Sequence, residues 1–104
     1  MESKVELVQA AIRREMLTVA NEYRDHMSVQ DIMAEAETWS WIPVFRIMRR
    51  TGLTRARLCK VLDHMLNAEP PHIEARGLAP NTADGRVRLL GYQQVFESSV
   101  FRPR

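Results

Sequence analysis

The sequence predicts a single, mostly α domain that closes on a β-hairpin, and three observations lead there. From Val5 to Leu66 the apolar residues recur at steps of three and four, broken only at short polar or glycine-bearing junctions. Glu69-Pro70-Pro71 then ends the helical pattern, because proline lacks the ladder N–H and biases the residue before it toward extended backbone. Beyond it, two short extended runs, 72–78 and 86–90, bracket a turn-rich Ala79-Pro80-Asn81-Thr82-Ala83-Asp84-Gly85. At 104 residues, 45% hydrophobic and 27% charged, the chain has the size and composition of one domain with a modest core.

The first helix is written by Val5, Val8, Ile12, Met16, Val19, Tyr23 and Met27, with Glu6, Arg13, Arg14, Glu15 and Glu22 mostly between them. Leu7, Ala11 and Leu17 widen its apolar surface, so homodimer contacts through this helix and simple core packing are both open. Ser28, with Asp31 three residues on, reads as the N-cap of a short second helix that buries Val29, Ile32, Met33 and Ala36. Trp39 and Trp41 flank the next junction and are expected to lock the second and third helices together. The third helix is expected from Pro43 to about Thr51, with Val44, Phe45, Ile47 and Met48 in apolar contacts and Gly52 just past its end. Thr54 caps the fourth, which runs to about Ala68 with Leu58, Val61, Leu62, Met65 and Leu66 on one side. Asp84-Gly85 ahead of Arg86-Val87-Arg88 is the hairpin signal. Tyr92, Val95, Phe96, Val100 and Phe101 are spaced for either a helix or a strand.

Charge is distributed unevenly. Residues 1–45 hold four basic and eight acidic side chains, and residues 46–104 hold eleven and five, so −4 and +6 make up the net +2. The stretch Phe45 to Lys60 carries Arg46, Arg49, Arg50, Arg55, Arg57 and Lys60 with no acid among them. A basic half on a small domain points to a polyanion partner, against the plainer reading of a solvated basic surface. The single cysteine, Cys59, excludes an internal disulfide framework, and no secretory pattern opens the chain, so a cytoplasmic protein is expected. Every apolar run is interrupted by charge well short of a bilayer span, so no membrane partner is expected.

Helix, turn, basic helix, proline stop and hairpin is the order found in winged helix-turn-helix domains, and from Ile42 to Leu90 the sequence resembles that superfamily. Gly52-Leu53-Thr54-Arg55-Ala56-Arg57-Leu58-Cys59-Lys60-Val61-Leu62 is similar to the turn and second helix of many small bacterial regulators. The long helix ahead of it is loosely similar to MarR-like regulators and related plasmid or phage proteins, which usually add a long dimerising helix after the wing. The resemblance implies that Leu53, Ala56, Leu58 and Leu62 pack, that Arg55, Arg57, Cys59 and Lys60 face DNA, and that Ile73 to Leu90 is the wing. The whole is expected as one domain over 1–104: N-terminal helices over 1–37, helix-turn-helix over 40–69, wing over 72–91 and a C-terminal segment over 92–104.

On that basis the second helix enters the major groove of double-stranded DNA. Arg55 and Arg57, with planar forks suited to guanine O6 and N7, are the expected base readers, and Lys60 the phosphate contact. Thr54 caps and offers a hydroxyl to the backbone. Arg76, Arg86 and Arg88 belong to the hairpin strands, the last two on one face by strand alternation, and are expected on the flanking backbone or minor groove. Arg49 and Arg50 are possible phosphate contacts, and Arg46 shares that helix. Catalysis, cofactors and metals are not expected: Cys59 and His64 lie about 140° apart on a helix, His26 and His72 add no ligand spacing, and no phosphate loop, nucleophile elbow or carboxylate pair stands out. The expected function is sequence-specific binding by a small homodimeric transcriptional regulator, a repressor, with no effector identified. The alternative is a protein-interaction or structural subunit of a replication, plasmid-partition or transcription assembly.

Overall fold

The computed structural model describes residues 2–77 and 85–91. It is mostly helical with a small antiparallel sheet: α1 (Glu2–Arg24), α2 (Val29–Ala34), α3 (Ala36–Trp39), β1 (Ile42–Pro43), α4 (Val44–Thr51), α5 (Arg55–Leu66), β2 (Ile73–Arg76) and β3 (Arg86–Leu89). The three strands are ordered β1-β3-β2.

α1 crosses the molecule and packs on α4, α5 and β3. Val5, Val8, Ala11, Ile12, Met16 and Ala20 are buried along one side, which absorbs most of the stripe read from the sequence and leaves Leu7 and Tyr23 outside. Met27 lies past the helix, its N–H donating to the Tyr23 carbonyl at 2.9 Å. Ser28 caps α2 as expected, its Oγ accepting from the Asp31 N–H at 3.2 Å. The expected second helix is split at Glu35 into α2 and α3. Trp39 and Trp41 are both buried, and the Trp39 indole donates to the Ile32 carbonyl at 2.8 Å, closing α3 onto α2.

β1 corrects the expected start of the third helix. Ile42 and Pro43 pair with Val87 and Arg86, and the Val44 N–H donates to the Gly85 carbonyl at 2.9 Å. Pro43 is therefore the extended N-cap of α4, with φ −62° and ψ 139°, rather than its first helical residue. As an edge strand, β1 tolerates a residue without an N–H. Phe45, expected to pack, is 49% exposed, whereas Val44 and Ile47 are buried.

Gly52 ends α4 in the left-handed region at φ 74°, its N–H on the Met48 carbonyl at 2.8 Å. Thr54 caps α5 through Oγ1, which accepts from the Arg57 N–H at 3.3 Å. α5 buries Leu58, Val61, Leu62 and Met65 and closes at Asn67, whose amide donates to the Asp63 carbonyl at 2.9 Å. The His72 N–H on the Met65 carbonyl and the Leu90 N–H on the His72 carbonyl fasten both strands to the end of α5.

The hairpin register pairs Ile73 with Leu89, Glu74 with Arg88, Ala75 with Val87 and Arg76 with Arg86. Gly85 directly precedes β3. Residues 79–84 of the expected turn, the end of the first extended run at 78 and the expected C-terminal segment 92–104 lie outside the described residues.

Candidate nucleic-acid interface

α5 can present a basic surface because its two sides differ chemically. Leu58, Val61, Leu62 and Met65 fix one side in the core, so rotation about the helix axis is settled by burial. At 100° per residue, Arg57 and Lys60 then fall on the outer side, with His64 one turn on, and all three are exposed. Neither Arg57 nor Lys60 has an ion-pair partner among the described residues. The turn carrying α5 is rigidly made: Thr51 Oγ1 donates to the Ile47 carbonyl at 2.8 Å and accepts from the Leu53 N–H at 3.2 Å, and Gly52 and Thr54 close the adjoining helix ends.

Arg55 does not share that outer face. Two residues from Arg57, it projects about 160° away around the axis, is half-buried, and its Nε is buried without a partner among the described residues. Cys59 is half-buried on the Arg55 flank and Ala56 is exposed, the reverse of the packing role expected for it.

On α4, Arg49 is exposed and Arg50 is committed elsewhere. Arg50 Nε donates to Glu15 Oε1 at 3.0 Å, and Arg46 approaches Glu15 Oε2 at 3.8 Å, so one buried α1 carboxylate gathers two of the arginines of the basic block. Sequence reading counted Glu15 among the polar residues between apolar ones. Its spacing from Ile12 and Val19, which places it on the buried stripe, was the available signal.

The hairpin arginines divide. Arg86 and Arg88 do share a face, as strand alternation predicts, but their surroundings differ. Arg88 is only 7% exposed: Nε and one terminal nitrogen donate to Glu74 Oε2 at 3.3 and 3.0 Å, the other donates to Ser40 Oγ at 3.3 Å, and Glu37 lies 3.6 Å away. Its guanidinium also lies 4.4 Å from the Trp41 ring centroid. Arg88 is thus a structural tie among α3, the Ser40-Trp41 junction and β2, not an outward contact. Arg76 and Arg86 are exposed at the open end of the same face, Arg76 lying 4.1 Å from the Trp41 ring centroid.

Of the ten residues expected at an interface, Thr54, Arg57 and Lys60 lie at the cap and on the outer side of α5, Arg49 is exposed on α4 beside Phe45 and Arg46, and Arg76 with Arg86 form a second group on the sheet. Among the described residues no His, Cys, Asp and Glu cluster could hold a metal, and no helix is long and apolar enough to cross a membrane. No protein-family model, curated protein or solved structure matches the chain.

Proposed function

We propose that the chain is a winged helix-turn-helix domain that binds double-stranded DNA as a small homodimeric regulator, with repression as its output. The observation carrying the proposal is the outer side of α5, where Arg57 and Lys60 stand exposed and without carboxylate partners among the described residues, on a helix fixed by its caps and core side. The element order and the β1-β3-β2 sheet are compatible with it. Arg57 reads a base edge, Lys60 and Arg49 hold phosphates, and Arg55 contributes from the flank. The dimer rests on the α1 face that carries Leu7, an apolar side chain left exposed.

Enrichment of genomic fragments on the protein at two salt concentrations, followed by anisotropy titration of the enriched site, tests this. Arg57→Ala should relax preference at one position, costing roughly 1–3 kcal/mol there, while Lys60→Ala should weaken all sequences alike and reduce the salt slope by about 1. Affinity for the enriched site unchanged in the double variant would refute the assignment.

A second reading, a protein-interaction module, is favoured by one feature. Arg46, Arg50 and Arg88 are occupied by the chain's own carboxylates, and Phe45 stands exposed beside Arg49 and Arg46 in a recess that Glu15 also lines. Absence of any enriched DNA, with partner capture lost in Phe45→Ala, would select it.

A further inference from the structure

On the sheet face that carries Trp41, Arg76 of β2 stands directly opposite Arg86 of β3. Side chains so opposed start from Cβ atoms about 5 Å apart, and like charges in that relation destabilise the pair. One register step away the same face is balanced, since Glu74 opposes Arg88 and accepts from it. At Arg76 and Arg86 no such match exists: neither makes an ion pair among the described residues. Together with Trp41 and Glu37 they line a recess of about 360 Å³. Glu37 lines the recess as well, but Arg76, Arg86 and Arg88 outnumber Glu37 and Glu74, so this face keeps one net positive charge. The Arg76 guanidinium lies 4.1 Å from the ring centroid of the buried Trp41, which backs one of the two forks.

We propose that this recess is a clamp for a phosphate-class oxyanion, with Arg76 and Arg86 each presenting a guanidinium fork to its oxygens. A tetrahedral oxyanion accepts two forks at once, and its negative charge removes the repulsion that the empty register carries. Where the oxyanion is a backbone phosphate the clamp rests on the duplex reading, in which Arg76 and Arg86 are expected on the flanking backbone; where it is a free phosphomonoester the clamp goes beyond that reading. Two sources offer the same chemistry: a free phosphomonoester, with up to two negative charges, or a diester phosphate of a nucleic-acid backbone, with one.

Thermal unfolding of the full chain with inorganic phosphate, against sodium chloride at equal ionic strength, tests the clamp. At about ten times Kd, phosphate should raise Tm by roughly 6–11 °C beyond chloride. Arg86→Gln should abolish that response and, by relieving like-charge repulsion, raise the ligand-free Tm by roughly 1–5 °C. An arginine with only a packing role would lower it instead. Arg86→Lys, which keeps the charge but not the fork, should retain a weakened response, and Arg57→Ala with Lys60→Ala should leave the response whole even where duplex binding is lost. A parallel titration with a short duplex separates the sources. If Arg86→Gln also weakens the duplex and phosphate competes with it, the clamp takes a backbone phosphate; if duplex affinity is unchanged, it takes a free phosphomonoester. No phosphate effect beyond chloride, or a full effect surviving in Arg86→Gln, would overturn the proposal.

Discussion

Arg88→Ala separates structural arginines from those available to a polyanion. The wild-type side chain donates twice to Glu74 Oε2, at 3.0 and 3.3 Å, and once to Ser40 Oγ at 3.3 Å, and lies against Trp41. Glu74 and Glu37 are 39% and 72% exposed in their side chains, so solvent screens both ion pairs and they contribute together about 1 kcal/mol. Ser40 is fully buried, and removing its partner costs about another 1 kcal/mol in an unmet hydroxyl. Loss of the stacked, buried stem adds roughly 1–2 kcal/mol. Against these stands the relief of no longer desolvating a guanidinium, which recovers part of the sum.

The expected net loss is about 2 kcal/mol, or a fall in Tm of roughly 8–16 °C for a domain of this size. Urea unfolding followed by tryptophan fluorescence measures it, since Trp41 is itself the stacking partner. Arg88→Met, which restores apolar volume without a charge, should recover part of the loss. Duplex affinity per folded molecule should stay within about twofold of wild type, a difference of roughly 0.4 kcal/mol. A stability change below about 0.5 kcal/mol, the range ordinary for surface substitutions, accompanied by a large loss of duplex affinity, would refute the placement of Arg88 as an internal tie.

Other consequences are smaller and follow from single contacts. Glu15→Gln should lower stability by about 1 kcal/mol, because Arg46 and Arg50 are themselves 42% and 38% exposed and the pairing is screened; by freeing both arginines it should also strengthen non-specific duplex binding and steepen its salt dependence in anisotropy titrations. Gly52→Ala should cost about 1 kcal/mol in urea unfolding through backbone conformation alone, since φ is +74° while a Cβ there would meet nothing within 4 Å. Thr54→Ala should cost about 1 kcal/mol by unmaking the cap on the Arg57 N–H, with Thr54→Ser recovering most of it.

What the sequence revealed and what it concealed divide by the range of the interaction that decides each residue. Gly52 and Thr54 were legible because their roles are local: a left-handed residue after a helix and a hydroxyl before the next are settled within three or four positions. The faces of α1 and α5 were legible by period, because burial of Val8, Ile12, Leu58 and Leu62 repeats with the helix. β1 was not, since two residues are too few for any alternation, and Trp41-Ile42-Pro43 matches a proline-led helix start equally well. Its strand identity comes from Val87 and Arg86, more than forty positions away. The site failed in the same way. Arg57 and Arg88 are both arginines in basic surroundings, but the first belongs to a helix whose burial pattern turns it outward, and the second acquires Ser40 and Glu74 only when the register is set. Arg55 and Arg57, expected together on the DNA-facing side, are separable by helical spacing alone, because two positions on a helix point nearly opposite ways. Charge density in a sequence therefore bounds a basic surface from above: among the described residues from 46 to 91, Glu15, Glu37 and Glu74 engage Arg46, Arg50 and Arg88, leaving Arg49, Arg57, Lys60, Arg76 and Arg86 exposed and without an ion pair.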